Sequence, residues 1–314
     1  MNFPAKWWQP VGKGKVLCRL CPRFCRIGDG QDGFCFVRRN EGGRLFLSTY
    51  GRVVGLGVDP IEKKPFNHFL PGTPILSFGT AGCNLGCRFC QNWHMSRAKA
   101  DELRAVDASP EQIVALAKRY NCPGIAYTYN EPTIYAEFLI DTARLARENG
   151  LRNVMVTNGY VTPEARPELY RYVDAANVDL KGFTDRFYHK LSSAHLADVL
   201  DTIKWLASET DVWIEITNLV IPGYNDDMDE IGRMVDWILE NCGAGVPLHF
   251  SAFHPDYRLL DAPRTPPEML IAARRLALDK GVRFVYTGNI FADEAQNTYC
   301  PECCLLYTSD AADE

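Results

Sequence analysis

Short apolar runs alternate with amphipathic stretches of helical period between about residues 74 and 289. Several of these runs are rich in β-branched residues, which is typical of strands buried on both faces of a parallel sheet. The predicted strands are 75–78, 125–129, 153–157, 176–180, 212–220, 248–253 and 283–286. Strand, helix and strand in this order predict right-handed crossovers and an α/β fold, whose parallel sheet is either open or closed into a barrel.

Helix boundaries are marked between the strands. The sequence Ser109-Pro110-Glu111-Gln112 has the pattern of a capping box with proline at the first helical position. Gly150 is a typical residue for the end of the next helix. The sequence therefore predicts one crossover helix beginning after Ser109 and another ending near Gly150.

Three cysteines follow the first predicted strand in the run Cys83-x3-Cys87-x2-Cys90. Thiolates at this spacing can hold three irons of a [4Fe-4S] cluster, and the fourth iron then lacks a cysteine from the same loop and can bind a ligand. The alternatives are an incomplete zinc knuckle, although zinc sites usually need four protein ligands, or buried core thiols. Loops after parallel strands carry the chemistry of barrels, and this loop has that position.

Polar side chains also stand at the ends of later strands. Glu131 could accept hydrogen bonds from the ammonium group of a bound amino acid, or stabilise the helix that follows it. Taken singly, Asn158 could be a turn residue, the Asp179 and Lys181 pair a surface ion pair, and His254 a structural group. Their position at successive strand ends favours a shared site.

A second group of cysteines, Cys18-x2-Cys21-x3-Cys25-x9-Cys35, lies near the amino terminus. Four thiols at this spacing suit zinc or a second iron-sulfur cluster in a segment with little core of its own, or else they are unliganded structural thiols. Cys300 and Cys303 could complete such a site if the chain ends meet. The expected organisation is a cysteine-rich extension over 1–70, a core over 71–290 and a Cys-x2-Cys segment over 291–303.

The composition excludes several classes of protein. A formal charge of −5 gives no basic field for a nucleic acid or an anionic membrane. No apolar run approaches the ~20 residues of a membrane helix, and the first residues lack the layout of a signal peptide. Twelve cysteines at metal-ligand spacings favour reduced thiolates over disulfides, so a cytoplasmic protein is expected.

The last eleven residues, 304–314, look like the translation of a transposon-end adapter used in sequencing libraries. We therefore expect that they replace the natural end of the chain. Without Asp310, Asp313 and Glu314 the formal charge becomes −2, which is too slight to interpret.

The Cys83–Cys90 run, with an aromatic residue before its last cysteine, resembles the signature of the radical S-adenosylmethionine (SAM) enzymes. Thr157-Asn158-Gly159 and Asp179-Leu180-Lys181 resemble motifs of the activating enzymes for glycyl radical enzymes, and His254 matches a histidine that lies near SAM in them. Three positions depart from that pattern. Tyr129 and Asn130 replace the glycines of a Gly-Gly-Glu-Pro motif, and Val156 replaces an aspartate of the activases' monovalent-cation site.

Further strings resemble radical SAM proteins of the AmmeMemoRadiSam-system type, which are related to pyruvate formate-lyase activating enzyme. They are Cys18-Arg19-Leu20-Cys21-Pro22, Asp59-Pro60-Ile61-Glu62-Lys63-Lys64-Pro65, Tyr129-Asn130-Glu131-Pro132 and Asn297-Thr298-Tyr299-Cys300-Pro301. The resemblance reaches from Cys18 to Cys303.

The resemblance implies a partial (β/α)6-type barrel that cleaves SAM reductively to a 5'-deoxyadenosyl radical. Cys83, Cys87 and Cys90 would hold the cluster, Glu131 would orient the SAM amine, and the remaining SAM groups would meet Asn158, Asp179, Lys181 and His254. The implied partners are a flavodoxin or ferredoxin, AMMECR-like and Memo-like proteins, or a glycyl radical enzyme.

Two alternatives remain open at this point. One is a radical SAM enzyme that acts on a small molecule or another macromolecule. The other is a non-catalytic metal-binding interaction protein, which would not bind SAM.

Overall fold

The protein is described by a computed structural model over residues 3–290, 293–300, 302–303 and 306–308. It has an α/β fold, as the alternation in the sequence predicts. The strands are β1 Phe3–Pro4, β2 Trp8–Pro10, β3 Val16–Cys18, β4 Arg26–Ile27, β5 Arg38–Glu41, β6 Arg44–Leu47, β7 Arg52–Pro60, β8 Pro74–Gly79, β9 Val106–Asp107, β10 Gly124–Tyr127, β11 Arg152–Thr157, β12 Ala175–Asp179, β13 Trp213–Val220, β14 Leu248–Ala252, β15 Val285–Gly288, β16 Thr298–Tyr299 and β17 Leu306–Thr308.

The α-helices are α1 Trp93–Ser96, α2 Pro110–Arg119, α3 Ala136–Glu148, α4 Arg166–Leu169, α5 Asp185–Phe187, α6 Leu196–Glu209, α7 Met228–Cys242, α8 Pro267–Asp279 and α9 Asp293–Gln296. Short 3-10 helices span Ile61–Lys63 and Pro132–Tyr135, and a π-helical turn spans Tyr188–Ser192. In the part of the chain that the structure describes, no helix has the length and apolar character needed to cross a membrane.

Each of the seven predicted strands overlaps one of β8 and β10–β15. The parallel pairing is confirmed for β8, β10 and β11, and for β13, β14 and β15. The sequence did not indicate β7, because Gly55 and Gly57 interrupt its apolar pattern and glycine is unfavourable in strands.

The described residues form two compact units. The first, called unit 1, contains the residues up to Asp59, then Pro74–Gly86 and Asn92–Ala175. The second, called unit 2, contains Pro60–Thr73, Cys87–Gln91 and the described residues from Ala176 onward. The expected extension over 1–70 is therefore divided between the units at Asp59.

In unit 1 the strands lie in the order β11, β10, β8, β7, β9, with β7 and β9 antiparallel. The capping box of α2 is confirmed, because Gln112 N donates to Ser109 Oγ at 3.4 Å and Ser109 N donates to Gln112 Oε1 at 2.8 Å. Helix α3 ends at Glu148, and Gly150 follows with a φ of 76°, which glycine adopts without strain.

The amino-terminal part of unit 1 forms two small antiparallel sheets, β1-β6-β5 and β2-β3-β4. A buried ion pair anchors it on α3. The Arg38 guanidinium donates two hydrogen bonds to the Glu137 carboxylate, at 2.9 and 2.6 Å, and both side chains are only 1% exposed. Lys6 N also donates to Glu137, at 2.7 Å. Because a buried charge is costly unless it is paired, this contact fixes the extension in one position.

In unit 2 the strands lie in the order β15, β14, β13, β12. Glu215 of β13 is fully buried and accepts hydrogen bonds from Asn67 N, His68 N, Trp213 Nε1 and His249 Nε2, at 2.6–3.2 Å. These bonds attach the segment 60–73 to the inner strands of unit 2. At the far end, β16 pairs with β17. Of the expected adapter sequence 304–314, Leu306–Thr308 form β17, and the other residues lie outside the described ones.

We expect Arg38→Met to lower the free energy of unfolding by about 3–5 kcal/mol, because it leaves the Glu137 carboxylate buried without its partner. The measurement is the midpoint of chemical denaturation. The control is Arg39→Met, whose pair with Asp32 is 37% exposed on the arginine side and should contribute at most about 1 kcal/mol. Equal losses in the two variants would contradict the anchoring role.

Candidate active site

The loop that carries Cys83 begins where β8 ends, and two glycines there are required by space. A Cβ at Gly79 would lie 2.6 Å from the Thr128 carbonyl oxygen. Gly82 has a φ of 86°, and a Cβ there would lie 2.1 Å from the Cys35 carbonyl oxygen. The backbone of the amino-terminal cysteine segment therefore packs directly against the residue before Cys83.

The Asn130 side chain holds the backbone of this loop. Its Nδ2 donates to the Gly82 carbonyl oxygen at 2.8 Å and to Thr80 Oγ1 at 3.2 Å, and its Oδ1 accepts from Thr80 N at 3.2 Å. The sequence indicates Asn130 only as a replacement of a glycine. Its side-chain amide could have predicted this role, because an amide can donate hydrogen bonds to a neighbouring loop and glycine has no side chain to do so.

Tyr129 keeps the backbone conformation of a glycine. Its φ is 69°, which is uncommon for a residue with a side chain. Its hydroxyl donates to Asp59 Oδ2 at 2.8 Å, and its ring lies against Gly55, where a Cβ would be 3.2 Å from the ring carbons. Asp59 and Gly55 thus hold the Tyr129 side chain in place at this turn.

Glu131 is fully buried, and its carboxylate is occupied by hydrogen bonds inside unit 1. Oε1 accepts from Thr133 N and from the hydroxyls of Thr133 and Thr157, while Oε2 accepts from Asn158 N at 2.8 Å. Burial raises the pKa of Glu131, and these hydrogen bonds oppose the rise. The carboxylate caps the 3-10 helix that follows it and ties the end of β10 to the end of β11.

Asn158 contacts the cysteine loop through another asparagine. Its Nδ2 donates to Asn84 Oδ1 at 2.9 Å, and Asn84 Nδ2 donates to the Tyr160 carbonyl oxygen at 2.8 Å. Both asparagines are buried. The structure thus brings Asn158 to Asn84 of the cysteine loop, a residue that the sequence did not single out.

In unit 2, Lys181 lies between Asp179 and the second part of the cysteine loop. Its Nζ donates to Asp179 Oδ2 at 2.9 Å and lies 6.0 Å from the centre of the Phe89 ring. Burial opposes its charge, yet Asp179 and Cys87 raise the pKa of Lys181 above its ordinary value. Burial raises the pKa of Cys87 to about 11, and the Lys181 ammonium opposes that rise. Lys181 is thus a fixed cation next to a predicted cluster ligand.

His254 meets the residue that follows Cys90. Its Nδ1 lies 3.2 Å from Gln91 Nε2, and its ring is partly exposed. The structure thus brings His254 to the cysteine loop within unit 2, which its position after β14 predicts.

The amino-terminal cysteines are gathered in unit 1. Burial raises the pKa of Cys18 to about 12 and also raises the pKa of Cys21 and Cys35, with neighbouring thiols adding to the rise. The Arg38 guanidinium opposes the rise at Cys18 and Cys35. In unit 2, hydrogen bonds from the backbone of Cys303 and Glu302 lower the pKa of Cys300.

The donor chemistry at these positions suits soft metals, since none of the described cysteines is in a disulfide. Among the described residues, no three histidine, cysteine or acidic side chains are arranged as a finished ligand set. The metal roles of Cys83, Cys87, Cys90 and the amino-terminal cysteines therefore stay predictions.

We expect Asn130→Ala to speed amide hydrogen exchange at Thr80 by roughly tenfold, because the variant removes the acceptor of the Thr80 N–H and three further hydrogen bonds to the loop. Exchange measured by mass spectrometry on peptides covering 80–83 tests this. Asn241→Ala removes a comparable amide bond within α7 and should leave those peptides unchanged. Unchanged exchange in Asn130→Ala would show that other contacts hold the loop.

Comparison with known proteins identifies the family of this chain. The family model described as the Radical SAM superfamily matches residues 78–238, which include the cysteine loop and the polar ends of β10, β11 and β12. A Methanocaldococcus jannaschii protein named Uncharacterized protein MJ0808 is 48% identical over 302 residues, which are 96% of this chain and 90% of that protein. Pyruvate formate-lyase 1-activating enzyme of Escherichia coli K12 is 27% identical over 169 residues, 52% of this chain and 68% of that enzyme.

A solved structure supports the fold. The radical SAM methyltransferase from Sphaerobacter thermophilus has a TM-score of 0.54 at 16% sequence identity, over 70% of this chain and 67% of that one. The match of the family model to half of the chain, across the cysteine loop, shows that the chain belongs to the radical SAM superfamily.

Proposed function

We propose that this protein is an enzyme that cleaves SAM reductively at a [4Fe-4S] cluster held by Cys83, Cys87 and Cys90. The observation that carries the proposal is the position of this cysteine run, directly after the first long parallel strand β8 and inside the matched region 78–238. Three thiols without a fourth in the same loop suit a cluster with one open iron.

The cluster and SAM, when bound and supplied with one electron, provide methionine and a 5'-deoxyadenosyl radical that can take a hydrogen atom from a substrate. The chain supplies geometry and charge. Asn130 and Gly82 fix the backbone before Cys83, and Lys181 places a positive charge near Cys87. A fixed cation near the thiolates would offset part of the negative charge of a thiolate-bound cluster.

The residues at the strand ends are proposed to position SAM. Asn158, Asp179, Lys181 and His254 would meet its carboxylate, ribose and adenine. The resemblance implies that Glu131 receives the amine. Its four internal hydrogen bonds also favour a positioning role, in which it holds the backbone of Asn158 in place.

The substrate assignment rests on relatives. The 27% identity to pyruvate formate-lyase 1-activating enzyme supports an activase-like reaction, in which the radical would take hydrogen from a glycine of a partner protein. A flavodoxin or ferredoxin would supply the electron. We also propose that the protein is of the AmmeMemoRadiSam-system type and has AMMECR-like and Memo-like partners. Its proposed location is the cytoplasm.

A second metal is proposed for the amino-terminal cysteines. Four thiols lie close together in unit 1, which supports zinc or a second iron-sulfur cluster there. They are those of Cys18, Cys21, Cys25 and Cys35. Cys300 and Cys303 are proposed as an alternative second pair of ligands for such a site, which would free Cys25 or Cys35.

The first test is anaerobic reconstitution with iron and sulfide, reduction with dithionite in the presence of SAM, and chromatography for 5'-deoxyadenosine. We expect release by the wild-type protein, loss of release in Cys87→Ala because the cluster loses a ligand, and normal release in Cys122→Ala, a buried cysteine outside both groups. A reduced cluster that leaves SAM intact would instead favour the non-catalytic interaction protein.

Metal analysis of the Cys21→Ala variant tests the second site. We expect it to lose about one zinc or about four irons per chain relative to wild type, because one ligand of a closed site is missing. Cys242→Ala, in α7, serves as the control and should keep the full content. Equal metal content in wild type and Cys21→Ala would assign the four thiols to a structural role.

A further inference from the structure

Unit 2 contains a cavity lined in part by residues of β13, β14 and β15. Its volume of about 700 Å³ is typical of sites for small ligands. Gln91, which follows Cys90, and His254 are part of its lining. Most of the other lining side chains are polar or charged, whereas ligand pockets are usually mainly apolar. This favours an occupant that is itself polar.

His249 is held rigidly in the lining. Its Nε2 lies 2.6 Å from Glu215 Oε2, and its ring stacks on Tyr286 with the centres 5.1 Å apart. The carboxylate partner assigns the proton to Nε2, so Nδ1 is left as an acceptor. Nδ1 has no hydrogen bond to any residue that the structure describes. A ligand hydroxyl or amino group would donate to it.

Two further polar atoms of the lining lack partners. Thr287 is 3% exposed, and its Oγ1 makes no hydrogen bond within the described chain. Glu62 uses Oε1 to accept from Gly72 N, and its buried Oε2 is likewise unpartnered among the described residues. Buried polar atoms are nearly always satisfied in native proteins, so these atoms point to a ligand with hydrogen-bonding groups.

The cavity lining has more cationic than acidic side chains. Lys63 and Arg264 line the cavity, and neither forms an ion pair with an acidic side chain in the described part of the protein. Glu62 is the acidic residue of the described lining. Two exposed cations beside one carboxylate favour an anion, which arginine and lysine bind through charge-assisted hydrogen bonds.

We propose that this cavity binds a small polar anion, with a carboxylate or phosphate group at Lys63 and Arg264 and with hydroxyl or amino groups at His249, Glu62 and Thr287. A role of this anion as the substrate rests on SAM cleavage as proposed above and on the alternative in which the radical enzyme acts on a small molecule, which the presence of Gln91 and His254 in the lining supports. Glu62 and Lys63 belong to the string Asp59-Pro60-Ile61-Glu62-Lys63-Lys64-Pro65, so that string gains a function in ligand recognition.

Titration calorimetry on the anaerobically reconstituted full chain tests the proposal. The probes are L-malate for the carboxylate arm and inorganic phosphate for the phosphate arm, and glycerol is the neutral control. We expect malate, phosphate or both to bind at one site per chain, and glycerol to give no binding. The arm that binds identifies the anionic group.

Variants locate the binding. A Lys63→Gln and Arg264→Gln double variant should weaken anion binding by roughly tenfold or more, since both cations are removed from exposed positions. Thr287→Val removes the hydroxyl at nearly constant volume and should weaken malate by roughly threefold or more. Lys204→Gln, on the exposed face of α6, is the matched control and should bind as wild type does.

Three results would overturn the proposal: no binding of either anion, affinity unchanged in the double variant, or displacement of the bound anion by SAM. The last result would assign the cavity to SAM. Release of 5'-deoxyadenosine without added anion tests the proposed function separately. Anion binding without SAM cleavage would therefore refute the enzyme and leave the binding site standing.

Discussion

Hydrogen bonds from side chains to the ends of neighbouring strands fix the site in unit 1. The Asn130 amide spans from β10 to the backbone after β8, and the next residue, Glu131, spans from β10 to the start of the turn after β11. Asn84 and Asn158 then close the link back to the cysteine loop. Parallel strands bring their carboxyl ends to one edge, but only such bonds hold the loops there in one conformation.

Two buried carboxylates organise the segments that surround the strands. Glu137 receives Arg38 and thereby anchors the cysteine-rich extension in unit 1, while Glu215 receives His249 and the amides of Asn67 and His68 in unit 2. Each is nearly or fully buried, so each must be satisfied by specific donors. Both proposed sites depend on the segments that these carboxylates hold. In unit 1 the backbone of Cys35 packs against Gly82, next to the proposed cluster ligand Cys83, and in unit 2 Glu62 lines the cavity.

The structure shows which contacts are made by two residues that depart from the activase motif, Tyr129 and Asn130. Tyr129 keeps a left-handed backbone at a cost of about 1–3 kcal/mol, and its hydroxyl bond to Asp59 helps to offset that cost. Asn130 gains bonds that glycine cannot make. The first residue of the string Asp59-Pro60-Ile61-Glu62-Lys63-Lys64-Pro65 thus holds the altered turn, and later residues of the same string line the cavity of unit 2.

The sequence by itself determined the α/β fold, the strands β8 and β10–β15, the capping box at Ser109 and the family, because periodicity, turn residues and cysteine spacing are local properties. It also indicated the strand ends where Asn158 and His254 lie. Only the tertiary structure decided the partners of Asn130, the burial of Glu131, the ion pair of Arg38 with Glu137 and the cavity around His249. These features join residues that are distant along the chain, and their energies depend on burial and on the donors that packing brings together.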